Sequence, residues 1–147
     1  MTGSGEGRAV LVVDANVWVS AQDPRDPERG RSAEFLRASA ATGAELVAPE
    51  YLILEVGCAV ARRSGSPDAG ARTVRSLRRS PFLRLVPLSG GLLAAALDLG
   101  LRTGLRSGDA LYAAAARLED LPLITWDEEL VKRFPGALTP REWLAGR

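Results

Sequence analysis

The chain has 147 residues and a formal charge of +1, with 46% hydrophobic and 25% charged residues. That length suits one domain with a substantial core, and the near-neutral balance announces no polyanionic partner. The chain contains no histidine and only one cysteine. Histidine acid–base catalysis, a Ser-His-Asp arrangement, histidine-containing zinc sites and an internal disulfide are therefore excluded, which leaves carboxylates as the source of chemistry.

Residues 1–7 lack a long apolar run and read as a flexible lead. The first element covers residues 9–13, AVLVV, a continuous apolar run of strand length. Continuous rather than alternating apolarity marks a strand covered on both faces, as in a parallel sheet flanked by helices. It ends at Asp14, and Asn16 follows two residues later. Open parallel sheets bind ligands beyond the carboxyl ends of their strands, where Asp14 would stand.

Residues 15–21 read as a short helix or loop, and 22–30, with two prolines, as an exposed loop. Helical spacing through Ala33, Leu36, Ala40 and Ala44 predicts a helix over 32–44, followed by a strand at 46–48. The next helix spans 50–63. It carries Glu55 among apolar residues, where a carboxylate needs a metal, hydrogen bonds or an ion pair such as one with Arg62. Cys58 on the same helix reads as a small buried side chain. Residues 65–70 separate this helix from an arginine-rich one over 71–79, and 82–86 reads as a third strand.

Ser89 is placed to cap a helix reaching about residue 100, with Asp98 facing solvent. In GLRSGDALYAAAARLE, Ser107 is the expected N-cap, which puts Asp109 near N2 of an alanine-rich, central helix. Residues 121–125, LPLIT, form a fourth strand, followed by Trp126 and Asp127. The next helix starts either with a Thr125–Glu128 capping box or with Asp127 as N-cap. Residues 137–139 suggest an edge strand, and Pro140 opens a last helix anchored by Trp143 and Leu144. No run approaches the roughly 18 apolar residues of a membrane span, so no membrane role and a cytoplasmic location are expected.

Charge is unevenly spread. Residues 62–84 hold seven arginines against Asp68, a balance of +6, whereas 107–142 hold seven acids against four bases, a balance of −3. A basic flank beside an acidic centre suits a polyanion at a metal site; a solvated arginine face explains the first half equally well. Asp14, Glu55, Asp109 and Asp127 are the standout acids. If they converge, mutual repulsion raises at least one pKa, and a divalent ion relieves it. All-oxygen ligands favour magnesium or manganese.

VVDAN around Asp14, LILEVG around Glu55, SGDALYAAAA around Asp109 and LITWDEEL around Asp127 resemble, in order, the motifs of PIN-domain ribonucleases. The resemblance is greatest to the VapC toxins of toxin–antitoxin pairs and covers residues 9–143. It implies an α/β fold: a three-layer α/β/α PIN-like domain over 8–147, with a central parallel sheet ordered 3-2-1-4-5. It also implies a Mg2+- or Mn2+-dependent endoribonuclease in which Asp14, Glu55, Asp109 and Asp127 hold metal, with Asn16 and Thr125 supporting. Family likeness further implies a homodimer and a cognate antitoxin. Arg62, Arg63, Arg72, Arg75, Arg78 and Arg79 are candidates for the RNA backbone path, to which Arg25, Arg29 or Arg31 would add. Trp126 is expected to pack rather than stack with a base. The competing readings are a metal-dependent phosphatase or phosphotransferase, disfavoured because Asn16 breaks an Asp-x-Asp pair, and a non-catalytic RNA-binding regulatory domain.

Overall fold

The computed structural model describes residues 7–147; the expected N-terminal lead, but for Gly7, lies outside them. Five strands form one all-parallel sheet: β1 (Val10–Val13), β2 (Glu45–Pro49), β3 (Leu83–Val86), β4 (Leu123–Ile124) and β5 (Ala137–Leu138). Their order is β3-β2-β1-β4-β5, the expected one. Val10–Val12 pair with Glu45–Val47 on one side, and Val12 and Val13 pair with Leu123 and Ile124 on the other. The chain reverses direction through the sheet at β1, so the crevice beside β1 and β4 is the topological switch point.

Among the described residues, eight helices cover the sheet: α1 (Ala15–Gln22), α2 (Arg29–Ala41), α3 (Tyr51–Ser64), α4 (Pro67–Arg79), α5 (Gly90–Thr103), α6 (Ser107–Leu118), α7 (Glu128–Arg133) and α8 (Pro140–Ala145). Alternation along β1 divides the core. Val12 joins Val47, Leu123, Leu52 and Val56 of α3, and Tyr112 and Ala113 of α6 on one face. Leu11 and Val13 join Leu46, Ile124, Val17 and Phe35 on the other, with Trp143 edge-on to Phe35 at 5.0 Å. Both faces of β1 are thus dry, which explains its uninterrupted apolarity. Ala113–Ala116 are at most 2% exposed; small side chains let α6 lie close to β1 and β2.

Several boundaries differ from the sequence reading. Helix α4 begins at Pro67, not residue 71: the Ser66 hydroxyl accepts from the Ala69 N–H and Pro67 sits at the first turn. Gly70, read as part of a separator, is helical, and a Cβ there would come within 2.6 Å of the Gly57 carbonyl oxygen. Helix α2 starts at Arg29, three residues early, where the Asp26 carboxylate accepts from the Glu28 N–H. Strand β4 is shorter than predicted because the Leu121 N–H turns back to the Ala116 carbonyl and Pro122 has no N–H to give. Thr139 leaves the edge strand to form a capping box with Glu142 at the start of α8. Ser107 is the first residue of α6 rather than its cap: after the left-handed turn at Gly104 (φ 73°), Leu105 packs against the core and Arg106 takes the cap position. Asp109 therefore sits at N3. Cys58 is exposed: α3 turns Leu52, Val56 and Val60 inward, and a residue two beyond Val56 faces away.

Among the described residues, no helix is long and apolar enough to cross a membrane.

Candidate metal centre at the carboxyl edge of the sheet

Asp14 leaves the end of β1 as the first extended residue before α1, with its backbone N–H on the Ile124 carbonyl. Its side chain is only 5% exposed. Thr125, wholly buried one residue past β4, donates its hydroxyl to Asp14 Oδ2 at 2.8 Å. The Thr125 Oγ1 in turn accepts from Asn16 Nδ2 at 3.1 Å and from the Asp127 N–H at 3.0 Å. A hydroxyl has one donor and two acceptor positions, so Thr125 is fully used. Asn16 also reaches Asp14 Oδ2 at 3.3 Å and takes the Trp126 N–H on its Oδ1. The carboxyl ends of β1 and β4 are laced together by these five residues.

The flanking acids come from helices. Glu55 sits on α3, and its Oε1 accepts from the Tyr112 hydroxyl at 2.7 Å. Tyr112 is 1% exposed, and its place three residues after Asp109 puts both on one face of α6. Arg62 forms no ion pair with Glu55 among the described residues. Asp127 is the N-cap of α7: its Oδ1 accepts from the Glu129 and Leu130 N–H groups. That resolves the two capping alternatives in favour of Asp127. Trp126 packs in the core beneath, its indole N–H donating to the Ser32 hydroxyl.

Electrostatics tie the acids into one group. Burial pushes the Asp14 carboxyl up to about 7; the Thr125 hydrogen bond opposes this, and the charges of Asp109 and Glu55 add to it. Glu55 is raised by burial and by Asp109, against the Tyr112 hydrogen bond. Asp109 is raised by burial and by Asp127, with Arg106 opposing. Tyr112 is raised by burial and by Glu55. Even so, among the described residues no three of these side chains converge tightly enough to grip an ion as they stand. Glu55 and Asp127 are each drawn to a protein donor instead.

Tyr112 and Arg106 were missed in the sequence. The spacing of Tyr112 from Asp109 was a usable signal; Arg106 carried none, since its relation to Asp109 depends on where α6 begins. The arginines divide. Arg63 is engaged by Asp23 and Asp26, and Arg84 by Glu45 and Glu119. Arg25 reaches Asp23 and the Arg63 carbonyl. Arg62, Arg72, Arg75, Arg78 and Arg79 are exposed and make no ion pair among the described residues.

Three solved structures share the architecture. One is a toxin–antitoxin complex from Klebsiella pneumoniae, at 21% identity and TM-score 0.68, covering 88% of this chain and 97% of that one. The second is VapC20 of Mycobacterium tuberculosis, described as a sarcin–ricin-loop-cleaving toxin, at 18% identity and TM-score 0.71, covering 83% and 93%. The third is VapBC2 of Rickettsia felis bound to a promoter DNA fragment, at 16% identity and TM-score 0.64, covering 88% and 96%. No curated protein matches the chain by sequence. The sequence profile of the PIN domain, however, matches residues 11–135, from the second residue of β1 to just past α7. With its strand order and the acids at the switch point, this chain belongs to the PIN-domain family.

Proposed function

We propose that the chain is a divalent-metal-dependent endoribonuclease, the toxin of a toxin–antitoxin pair. The observation that carries this reading is the buried Asp14 at the sheet's switch point, with Glu55, Asp109 and Asp127 close enough to act on one another's charge. The names of the fold relatives, a toxin–antitoxin complex and an RNA-cleaving VapC toxin, agree with it.

The residues fit a hard cation. Four carboxylates and the Asn16 amide oxygen offer the oxygen donors that magnesium or manganese takes, and three of the carboxyls are raised by burial and by neighbouring acids. Asp14, Glu55, Asp109 and Asp127 would hold the ion. A bound divalent ion supplies water activation and stabilises charge developing on phosphoryl oxygens.

The chain's own groups prepare that site. Thr125 and Asn16 aim Asp14 through one shared oxygen. Tyr112 fixes the Glu55 carboxylate through its Oε1. The core beneath Asp14 keeps water from its inner side. The attack expected is in-line, by water on an RNA phosphodiester, leaving a 5′-phosphate and a 3′-hydroxyl. Exposed arginines of α3 and α4 (Arg62, Arg72, Arg75, Arg78, Arg79) offer phosphate contacts; Arg63, already paired, contributes less. A cytoplasmic setting follows from that substrate class. A cognate antitoxin and a homodimer complete the reading, the latter through the exposed leucines of α5.

The test is cleavage of a broad RNA panel with Mg2+ or Mn2+, using the wild type and the Asp14→Asn and Asp109→Asn variants. Metal-dependent cleavage by the wild type, lost in both folded variants, is expected. Undiminished cleavage by either folded variant would remove that residue from the site.

A further inference from the structure

The exposed arginines of α4 are not scattered. Arg72, Arg75, Ser76 and Arg79 stand at i, i+3, i+4 and i+7, which puts them on one face along about 10 Å of helix. The three arginines are exposed and make no ion pair among the described residues. They line an open groove of about 530 Å3 that ends against Phe82. Phe82 is 38% exposed, although its backbone is fixed: its carbonyl accepts from the Leu46 N–H and its N–H bonds the Ser80 hydroxyl. An aromatic ring left partly in solvent on a fixed backbone, beside a row of free guanidinium groups, has the make-up that single-stranded nucleic acid uses: a π-face for a base and cations for phosphates.

Topology separates this groove from the acids. Phe82 immediately precedes β3, whose first residue pairs with Leu46, so it lies at the amino edge of the sheet. Asp14 and Asp127 lie past the carboxyl ends of β1 and β4. The length of a four-residue strand, about 13 Å, stands between the two edges. The groove is therefore outside the site proposed for cleavage.

We propose that Arg72, Arg75, Arg79 and Phe82 form an exosite for single-stranded RNA, distinct from the carboxylate centre. The choice of RNA rests on the ribonuclease reading above. A single strand is favoured over a duplex because only an unpaired base presents a free face to Phe82, and over an acidic polypeptide because carboxylates alone would leave that ring unused.

The experiment measures binding of the full chain to a fluorescent oligouridylate in EDTA, across a salt series, so that binding is read without cleavage. Replacing Arg72, Arg75 and Arg79 by alanine is expected to flatten the slope of log K against log salt by about 2, from three lost phosphate contacts. Phe82→Ala is expected to weaken binding about tenfold. In the unaltered chain, a 4-thiouridine oligonucleotide is expected to cross-link within residues 72–82. An unchanged slope in the folded triple variant, a cross-link map confined to the carboxylate centre, or displacement by polyglutamate at equal concentration would overturn the exosite. Failure of the nuclease reading would instead appear as no cleavage with any metal while α4-dependent binding persists.

Discussion

The Thr125 hydroxyl donates to Asp14 Oδ2 at 2.8 Å across 111 residues of sequence, joining the ends of β1 and β4. Its remaining positions are filled by Asn16 and by the Asp127 N–H. Thr125→Val keeps the shape but strips all three bonds, leaving a buried carboxyl and a backbone N–H without this partner. A loss of about 2 kcal/mol in urea unfolding is expected. Because this bond holds the Asp14 pKa down, the variant should also need a higher pH to bind Mn2+, measured by calorimetry. Thr125→Ser should restore both. A Val variant with wild-type stability and wild-type pH dependence would show that the hydroxyl does not govern Asp14.

Asp14 makes stability depend on pH in an unusual direction for an aspartate. It titrates near 3.8 when unfolded and about 7 when folded, so the native state binds its proton more tightly. Its stabilising contribution, as much as about 4 kcal/mol, is complete below pH about 4, declines as pH rises and is gone above pH about 7. Glu55 and Asp109 are shifted the same way. In EDTA the protein should thus be more stable at pH 5 than at pH 8 by urea unfolding. Asp14→Asn should be the more stable protein at pH 8 and have a shallower pH profile. Mn2+ at 100 times its dissociation constant should add about 2.7 kcal/mol to the wild type. Equal wild-type stability at pH 5 and pH 8 would contradict a buried, mutually repelling carboxylate group.

How much of this was legible in the sequence depends on the distance over which each signal acts. The run at 9–13 and the Ser89 cap are local, and both elements form where expected. Asp14, Glu55, Asp109 and Asp127 stood out by type and setting, but their meeting depends on strand order, which the family resemblance supplied and periodicity did not. Glu55 had Arg62 as its nearest apparent partner; its actual partner, Tyr112, is 57 residues away. Thr125 looked like a minor companion because a hydroxyl's worth depends on its neighbours, and two of the three, Asp14 and Asn16, lie more than 100 residues away. Gly70 looked like a breaker because its cause, contact with Gly57, is tertiary. Cys58 misled because a helix with apolar residues on two stripes has only one wholly buried.

Gly70 supports a prediction with a built-in contrast. A methyl group there would meet the Gly57 carbonyl oxygen at 2.6 Å and the Ala61 Cβ at 3.0 Å, forcing α3 and α4 apart. Gly70→Ala is expected to cost about 2 kcal/mol despite alanine's better helix propensity. Gly30, in the first turn of α2, has nothing within 4 Å of such a methyl. Gly30→Ala should stabilise by about 0.5 kcal/mol. Thermal unfolding of both variants checks the pair; equal effects would mean that the α3–α4 contact is looser than its geometry.

The leucines of α5 concern assembly. Leu93, Leu97 and Leu101 recur every fourth residue and are 49%, 64% and 77% exposed, whereas Leu92, Ala96 and Leu99 of the same helix are buried. The apolar residues Leu52, Val56 and Val60 of α3, by contrast, are spent on the core. An exposed leucine row of this kind costs solubility unless something covers it, and a second copy of the same helix would. Sedimentation should therefore give twice the 15.6 kDa of one chain. Leu97→Asp with Leu101→Asp should give a folded species of single-chain mass, because two facing carboxylates per helix cannot be desolvated at a twofold contact. A wild-type chain that sediments as a monomer at high concentration would leave this face to a partner other than a second copy.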